Sequence, residues 1–164
     1  MINKCISTGC PLFSDEIPVK LEKNNSKILL VFQAPGKIEW EKKAPIQKQQ
    51  SKNSAGSRIY YSLERTGRKR KEFDITNAIQ CYPKLNEKTK RDNKPNSFTK
   101  QCCFKNLETD IINNKYSKII CFGKIAAIQI DKIFGKIESK TEIIKVKHPC
   151  GGVSNKYLDQ VWNL

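Results

Sequence analysis

The sequence predicts an α/β fold: a single three-layer domain over residues 1–164, with a central, mostly parallel four-stranded sheet flanked by helices. Three observations lead there. Short apolar runs such as Ile28-Leu29-Leu30-Val31-Phe32 show no polar alternation, as strands buried on both faces of a parallel sheet require. Stretches with apolar residues at helical spacing separate these runs, so strand and helix alternate. The runs also break at Gln33–Gly36, Asn77, Gly123-Lys124 and His148–Gly152, four exits that a parallel arrangement places on one edge. A chain of 164 residues suits one domain and can bury roughly two-thirds of its unfolded surface.

Taken in order, residues 1–20 carry Cys5-Ile6-Ser7-Thr8-Gly9-Cys10, two thiols around a bend that could grip one metal centre from a loop. The first strand is expected over 26–32. It breaks at Gln33-Ala34-Pro35-Gly36, where Pro35 lacks an N–H and Gly36 admits positive φ. A polar side chain and backbone amides then lie at the carboxyl end of a central strand, the place where open α/β sheets bind ligands. A plain strand-to-helix turn is the alternative. Residues 37–53, with Glu39, Trp40, Glu41 and Ala44-Pro45-Ile46, are polar and expected to be irregular.

Ser54-Ala55-Gly56-Ser57 opens a helix, because small hydroxyl residues cap exposed N–H groups. Ile59, Tyr60 and Leu63 follow at helical spacing, and Gly67 suits the stop. Arg65, Arg68, Lys69, Arg70 and Lys71 form a basic cluster, either a solvated helix end favoured by the helix dipole or a phosphate contact. The second strand, 73–79, contains Thr76-Asn77-Ala78 and leads to Cys81-Tyr82-Pro83; 84–100 reads as a charged loop. Cys103, Leu107 and Ile111 recur at i, i+4, i+8 in a helix over 102–113. A third strand (116–122) stops at Gly123, and a helix over 124–134 packs through Ile125, Ala126, Ile128 and Ile133. The fourth strand, 141–147, exits through His148-Pro149-Cys150-Gly151-Gly152, and 155–164 forms a terminal helix.

Composition narrows the class. Lys and Arg number 31 against 16 Asp and Glu, a net charge of +15. Such an excess repels itself, and a polyanion would relieve it, with nucleic acid the first candidate. A general Lys, Asn and Ile bias of the whole chain is the competing explanation. Seven Cys is an odd number, so they cannot all pair within the chain; metal ligation or buried thiols are expected instead. No apolar run approaches a membrane span and the N-terminus lacks a signal-peptide pattern, so the expectation is a soluble, intracellular protein.

The only His, His148, shares its expected edge with the amides Gln33 and Asn77. Carboxamides can read a heterocycle's donors and acceptors, and an imidazole can donate to an oxygen that gains negative charge. Recognition of a flipped base needs that combination.

Those residues carry a resemblance. The chain resembles the uracil-DNA glycosylase superfamily, closest to its iron–sulfur branch of family 4 and 5 type enzymes. Phe32-Gln33-Ala34-Pro35-Gly36 is similar to the family's Gly-Glu-Ala-Pro-Gly motif. Ser54-Ala55-Gly56-Ser57-Arg58-Ile59 resembles its next helix start, and Thr76-Asn77-Ala78-Ile79-Gln80-Cys81-Tyr82-Pro83 its Thr-Asn-x-x-Lys-Cys-x-Pro segment. Asn93-Lys94-Pro95, Cys103-Phe104-Lys105-Asn106-Leu107, Ile119–Ala127 and His148-Pro149-Cys150 match four further motifs in order.

The resemblance implies hydrolysis of the N-glycosidic bond of uracil, or a related base, in DNA by a monomer. Asn77 would read the base. His148 and a backbone amide near Gln33 and Ala34 would stabilise the leaving anion, with Gly36 and Ile46 completing the base site. Ser57, Arg58, Lys124, Cys150 and Gly151 would contact DNA. Cys5, Cys10, Cys81 and Cys103 would ligate a structural [4Fe–4S] cluster, with zinc as the alternative metal and Cys102 as the alternative ligand. Cys121 would be a packed thiol.

Several positions depart from the family pattern. Gln33 replaces Glu, so that either Glu39 or Glu41 compensates or an oxocarbenium-like sugar needs little activation of water; four residues rather than two separate the first Cys pair; Cys150 replaces Ser. Gly151-Gly152 supplies no apolar wedge after the His-Pro pair, and Ile46 stands nearest to an expected aromatic. A DNA-binding or defence-type module of the same fold with weak hydrolysis is the competing function.

Overall fold

The computed structural model describes residues 9, 10, 12, 17–150 and 152–164. Cys5 and Gly151 lie outside the described residues. The chain runs through β1 (Ile28–Phe32), α1 (Lys37–Lys42), α2 (Ala55–Arg65), β2 (Asp74–Asn77), β3 (Leu85–Asn86), β4 (Arg91–Asp92), α3 (Ser97–Asn114), β5 (Lys118–Phe122), α4 (Lys124–Phe134), β6 (Glu142–Val146) and α5 (Asn155–Gln160). Short 3₁₀ turns at Arg70–Glu72 and Val161–Asn163 complete it.

The main sheet has the order β2-β1-β5-β6, and each neighbouring pair is parallel. Alternation along the strands divides the core in two. Leu30 and Phe32 of β1, with Ile120 and Phe122 of β5, face α2 and the C-terminal turn, meeting Ile59, Leu63 and Trp162. Leu29 and Val31, with Ile119 and Cys121, face α3 and α4, meeting Leu107, Ile111, Ala126 and Ile130. The three-layer expectation therefore holds, and it explains the unbroken apolar runs: both faces of the central strands are covered. Phe32 and Phe122 stack across the β1–β5 pair with centroids 4.5 Å apart and planes 10° from parallel. Such a pair contributes about 0.5–1.5 kcal/mol beyond its buried area.

Because β2 lies on one side of β1 and β5 on the other, the direction of winding reverses between β1 and β5. A crevice opens beyond the strand ends at such a reversal. The cleft described below occupies that end of the sheet.

Three expectations change. Residues 37–53 are not wholly irregular: α1 starts directly after Gly36, and Lys43 ends it in the left-handed region (φ 51). Its one buried side chain is the carboxylate Glu39, so no apolar period announces it. The expected loop 84–100 contains an antiparallel hairpin, Leu85 opposite Asp92 and Asn86 opposite Arg91, closed by side-chain amides rather than by a glycine turn. Helix α3 begins five residues before the expected start, at an Asn96 cap whose side chain accepts from Thr99 N–H at 2.8 Å. Among the described residues, no helix is long and apolar enough to cross a membrane.

Three of the five residues of the basic cluster after α2 form ion pairs within the chain. Arg65 bonds Asp159 at 2.8 Å and Arg68 meets Glu72 at 3.2 Å. Arg70 grips both carboxylate oxygens of Glu22 (2.8 and 2.6 Å), which fastens the segment running antiparallel beside β2. These three guanidinium groups are engaged within the fold.

Candidate active site

Four chain segments converge beyond the strand ends on a cleft of about 600 Å³. Its walls include Gln33, Ala34 and Gly36 from the β1 exit, Ile46, Asn77 from the end of β2, and His148 and Cys150 after β6. The sequence-derived base site is thus brought together in one place. Backbone bonds from Ala78 N–H to the Phe32 carbonyl (2.8 Å) and from Ile79 N–H to the Gln33 carbonyl (3.0 Å) tie the β1 and β2 exits into one rigid floor.

Asn77 is only 1% exposed, and its Nδ2 has no hydrogen-bond partner among the described residues. An unpaired buried amide costs about 1–3 kcal/mol, so a site that retains one needs an acceptor from outside.

His148 is held in a defined state. Its Nδ1 accepts the N–H of Cys150 at 3.2 Å. Burial lowers its pKa below the ordinary 6.5, so the ring is neutral at pH 7 and carries its proton on Nε2. A neutral imidazole that donates from Nε2 can stabilise charge developing on a ligand oxygen. Gly123, the residue after β5, makes room for it: a Cβ there would stand 3.2 Å from His148 Cβ and 3.4 Å from Cδ2, at a φ of 93°. Only its punctuating position in the sequence hinted at this role.

Glu39 lines the same cleft and is buried. Its Oε1 accepts Gln47 N–H at 2.9 Å and the Gln49 side-chain amide at 3.3 Å. Glu41 instead is exposed and pairs with Lys37 at 3.8 Å. Of the two carboxylates expected to compensate for Gln33, Glu39 is the one in the site. Ile46 adopts φ 47, a rare conformation for a β-branched residue. Arg70 supports it by donating to the carbonyls of Ile46 (2.7 Å) and Pro45. Beside it, Gly56 lets the start of α2 approach the 47 backbone, since a Cβ would fall 1.8 Å from the Gln47 carbonyl oxygen.

Of the expected DNA contacts, Ser57 and Arg58 are engaged within the protein. Ser57 is fully buried; its Oγ accepts Gln49 N–H (2.9 Å) and donates to the Gln49 carbonyl (3.0 Å), so it braces the cleft wall and cannot reach a phosphate. Arg58 donates to the carbonyls of Pro149 and Val153 and to Asn155 Oδ1 (3.4 Å). It anchors the loop that presents His148. Lys124 is exposed at the start of α4 but does not line the cleft. Cys150 does, with its Sγ donating to the Asn53 carbonyl at 3.4 Å.

Cys10, Cys81 and Cys103 are all buried, whereas Cys102 is half-buried. Burial of Cys103 with Leu107 and Ile111 follows the phase of α3. Among the described residues, no three His, Cys, Asp or Glu side chains form a group arranged to hold a metal. Cys121 is also buried, and burial pushes its thiol up to about 12, as a packed and unreactive thiol requires.

The hairpin β3–β4 completes the cleft with residues that the sequence reading left in a loop, among them Leu85, Lys90, Arg91 and Lys94. No individual curated protein matches the chain. The family model of the uracil DNA glycosylase superfamily matches residues 19–163, nearly all of it. That span holds Gln33, Asn77 and His148 and begins beyond Cys10. Superfamily membership points to a DNA glycosylase, a hydrolase of N-glycosidic bonds with DNA as its partner. With the parallel sheet, the cleft at its carboxyl edge and this match in agreement, the chain belongs to the uracil DNA glycosylase superfamily.

Proposed function

We propose that the cleft receives a flipped uracil, or a closely related base, and that the protein hydrolyses its N-glycosidic bond as a monomer. One observation carries the reading: the partnerless buried amide of Asn77 shares a cleft with an imidazole whose proton sits on Nε2. Asn77 Nδ2 donates to uracil O4, and its Oδ1 accepts the N3–H. The C1′–N1 bond breaks with its electron pair leaving on the base, and the anion that spreads to O2 is met by His148. Water adds its oxygen to C1′, and its proton is balanced by the departing base. The products are free base and an abasic site, the first intermediate of base excision repair. Glu39 orients that water, which the neutral Gln33 cannot deprotonate.

We also propose that Cys5, Cys10, Cys81 and Cys103 hold a [4Fe–4S] cluster, with zinc the alternative. The chemistry of four thiols fits either metal. Three of them are buried, and Val19 N–H donates to the Gln80 carbonyl at 2.8 Å, drawing the N-terminal segment toward the chain beside Cys81. The cluster would tie that segment to the rest of the fold.

Excision from uracil-containing single and double strands, read by alkaline cleavage, tests the activity. Wild type should cut and Asn77→Ala should not. If both bind DNA and neither cuts, the protein is the non-hydrolytic module that Gln33 otherwise suggests.

A further inference from the structure

Of the large apolar side chains exposed among the described residues, Ile17, Leu85, Phe98, Ile112, Ile128 and Leu164, only Leu85 lines the cleft. It is 48% exposed, stands on β3, and lines the cleft together with His148 and Cys150. Between Pro149 and Val153 the loop of His148 carries only Cys150 and the pair Gly151-Gly152, none of them a large apolar side chain. Around Leu85, residues 84–94 contain Lys84, Lys88, Lys90, Arg91 and Lys94 against Glu87 and Asp92. None of these cations forms an ion pair with a described residue, in contrast to Arg65, Arg68 and Arg70. Of the two acids, Asp92 accepts the Tyr82 hydroxyl at 3.0 Å.

The hairpin is also stiff. Asn86 Oδ1 accepts the N–H groups of Lys88 and Thr89, both at 3.0 Å, and Lys90 N–H donates to the Asn86 carbonyl at 2.8 Å. Asn93 N–H donates to the Lys84 carbonyl at 2.9 Å, and the side chains of Asn86 and Asn93 are bonded at 3.2 Å. An exposed leucine on a braced, cationic hairpin beside a cleft of about 600 Å³ has the make-up of an intercalating wedge.

We propose that β3–β4 enters the duplex: Leu85 fills the gap left by the flipped base, while Lys90, Arg91 and Lys94 hold the flanking phosphates. This rests on the reading that the cleft takes a flipped base. A wedge opposes re-stacking, whose free energy is a few kcal/mol per step in duplex DNA and much less in a single strand. The cations add affinity without reading sequence.

The test compares wild type, Leu85→Ala and a Lys90→Ala/Arg91→Ala double variant on duplex and single-stranded uracil oligonucleotides. A parallel duplex carries 2-aminopurine beside the target to report unstacking, independent of hydrolysis. Leu85→Ala should lose duplex excision and the fluorescence rise at least about tenfold, with single-strand excision within about twofold of wild type. The double variant should flatten the log–log salt dependence of duplex binding by about 0.9 per lost contact. Because Leu85 is exposed, an unchanged melting temperature accompanies the expected result. Equal effects on both substrates, or an unchanged fluorescence rise, overturn the wedge. Unstacking that requires Leu85 without any excision supports the wedge and overturns only the hydrolytic reading.

Discussion

The amide N–H of Cys150 donates to Nδ1 of His148 at 3.2 Å, so a backbone group decides which nitrogen of the neutral ring carries the proton. Protonating the ring would set two donors against each other there. Burial already disfavours that charge, so the folded ring has a pKa below 6.5 and binds fewer protons than the unfolded chain at lower pH. Excision should stay level from pH 8 down to 6.5 and decline as the pH falls further. The stability contribution of neutral His148 is full above 6.5 and lost below it, so thermal melts of wild type against His148→Asn should converge in acid. Substitution of His148 by Ala should lower single-turnover excision by about 10²–10³-fold, as loss of one oxyanion donor does.

Gly123→Ala tests the fit between strand exit and imidazole. The added Cβ meets His148 Cβ at 3.2 Å and sits at φ 93°, so both sterics and backbone resist it. A loss of about 1–3 kcal/mol of stability is expected from urea melts, together with reduced excision. Unchanged excision would mean that the imidazole position tolerates displacement.

Asp110 provides a control remote from the cleft. Burial raises its pKa to about 6, against the opposing effects of the Gln80 side-chain bond (3.0 Å) and Lys20. The folded state therefore holds this proton more tightly than the unfolded chain, and stability falls as the pH rises from about 4 to 6. Asp110→Asn keeps an acceptor for Gln80 and removes the buried charge. It should raise the melting temperature at pH 7 and leave it unchanged at pH 4.

Cys103→Ser and Cys102→Ser separate ligand from neighbour. Cys103 is 1% exposed and in phase with Leu107, whereas Cys102 is half-buried. If the proposed cluster is present, the broad visible absorbance of purified protein should disappear in Cys103→Ser and survive in Cys102→Ser. Metal analysis of the wild type distinguishes iron with sulfide from zinc.

What the sequence alone determined is local in origin. Strands buried on two faces need unbroken apolar runs, so Ile28–Phe32 and Lys118–Phe122 were legible, and the residues that punctuate them marked the exits carrying Gln33, Asn77 and His148. Only the tertiary structure decided which groups share the cleft. Arg58 and Arg70 resemble phosphate ligands until their carbonyl and carboxylate partners, up to 95 residues away, are seen. Glu39 and Leu85 were obscure for a different reason: each sits in a short polar element held by hydrogen bonds between polar groups a few residues apart, and no apolar periodicity records those.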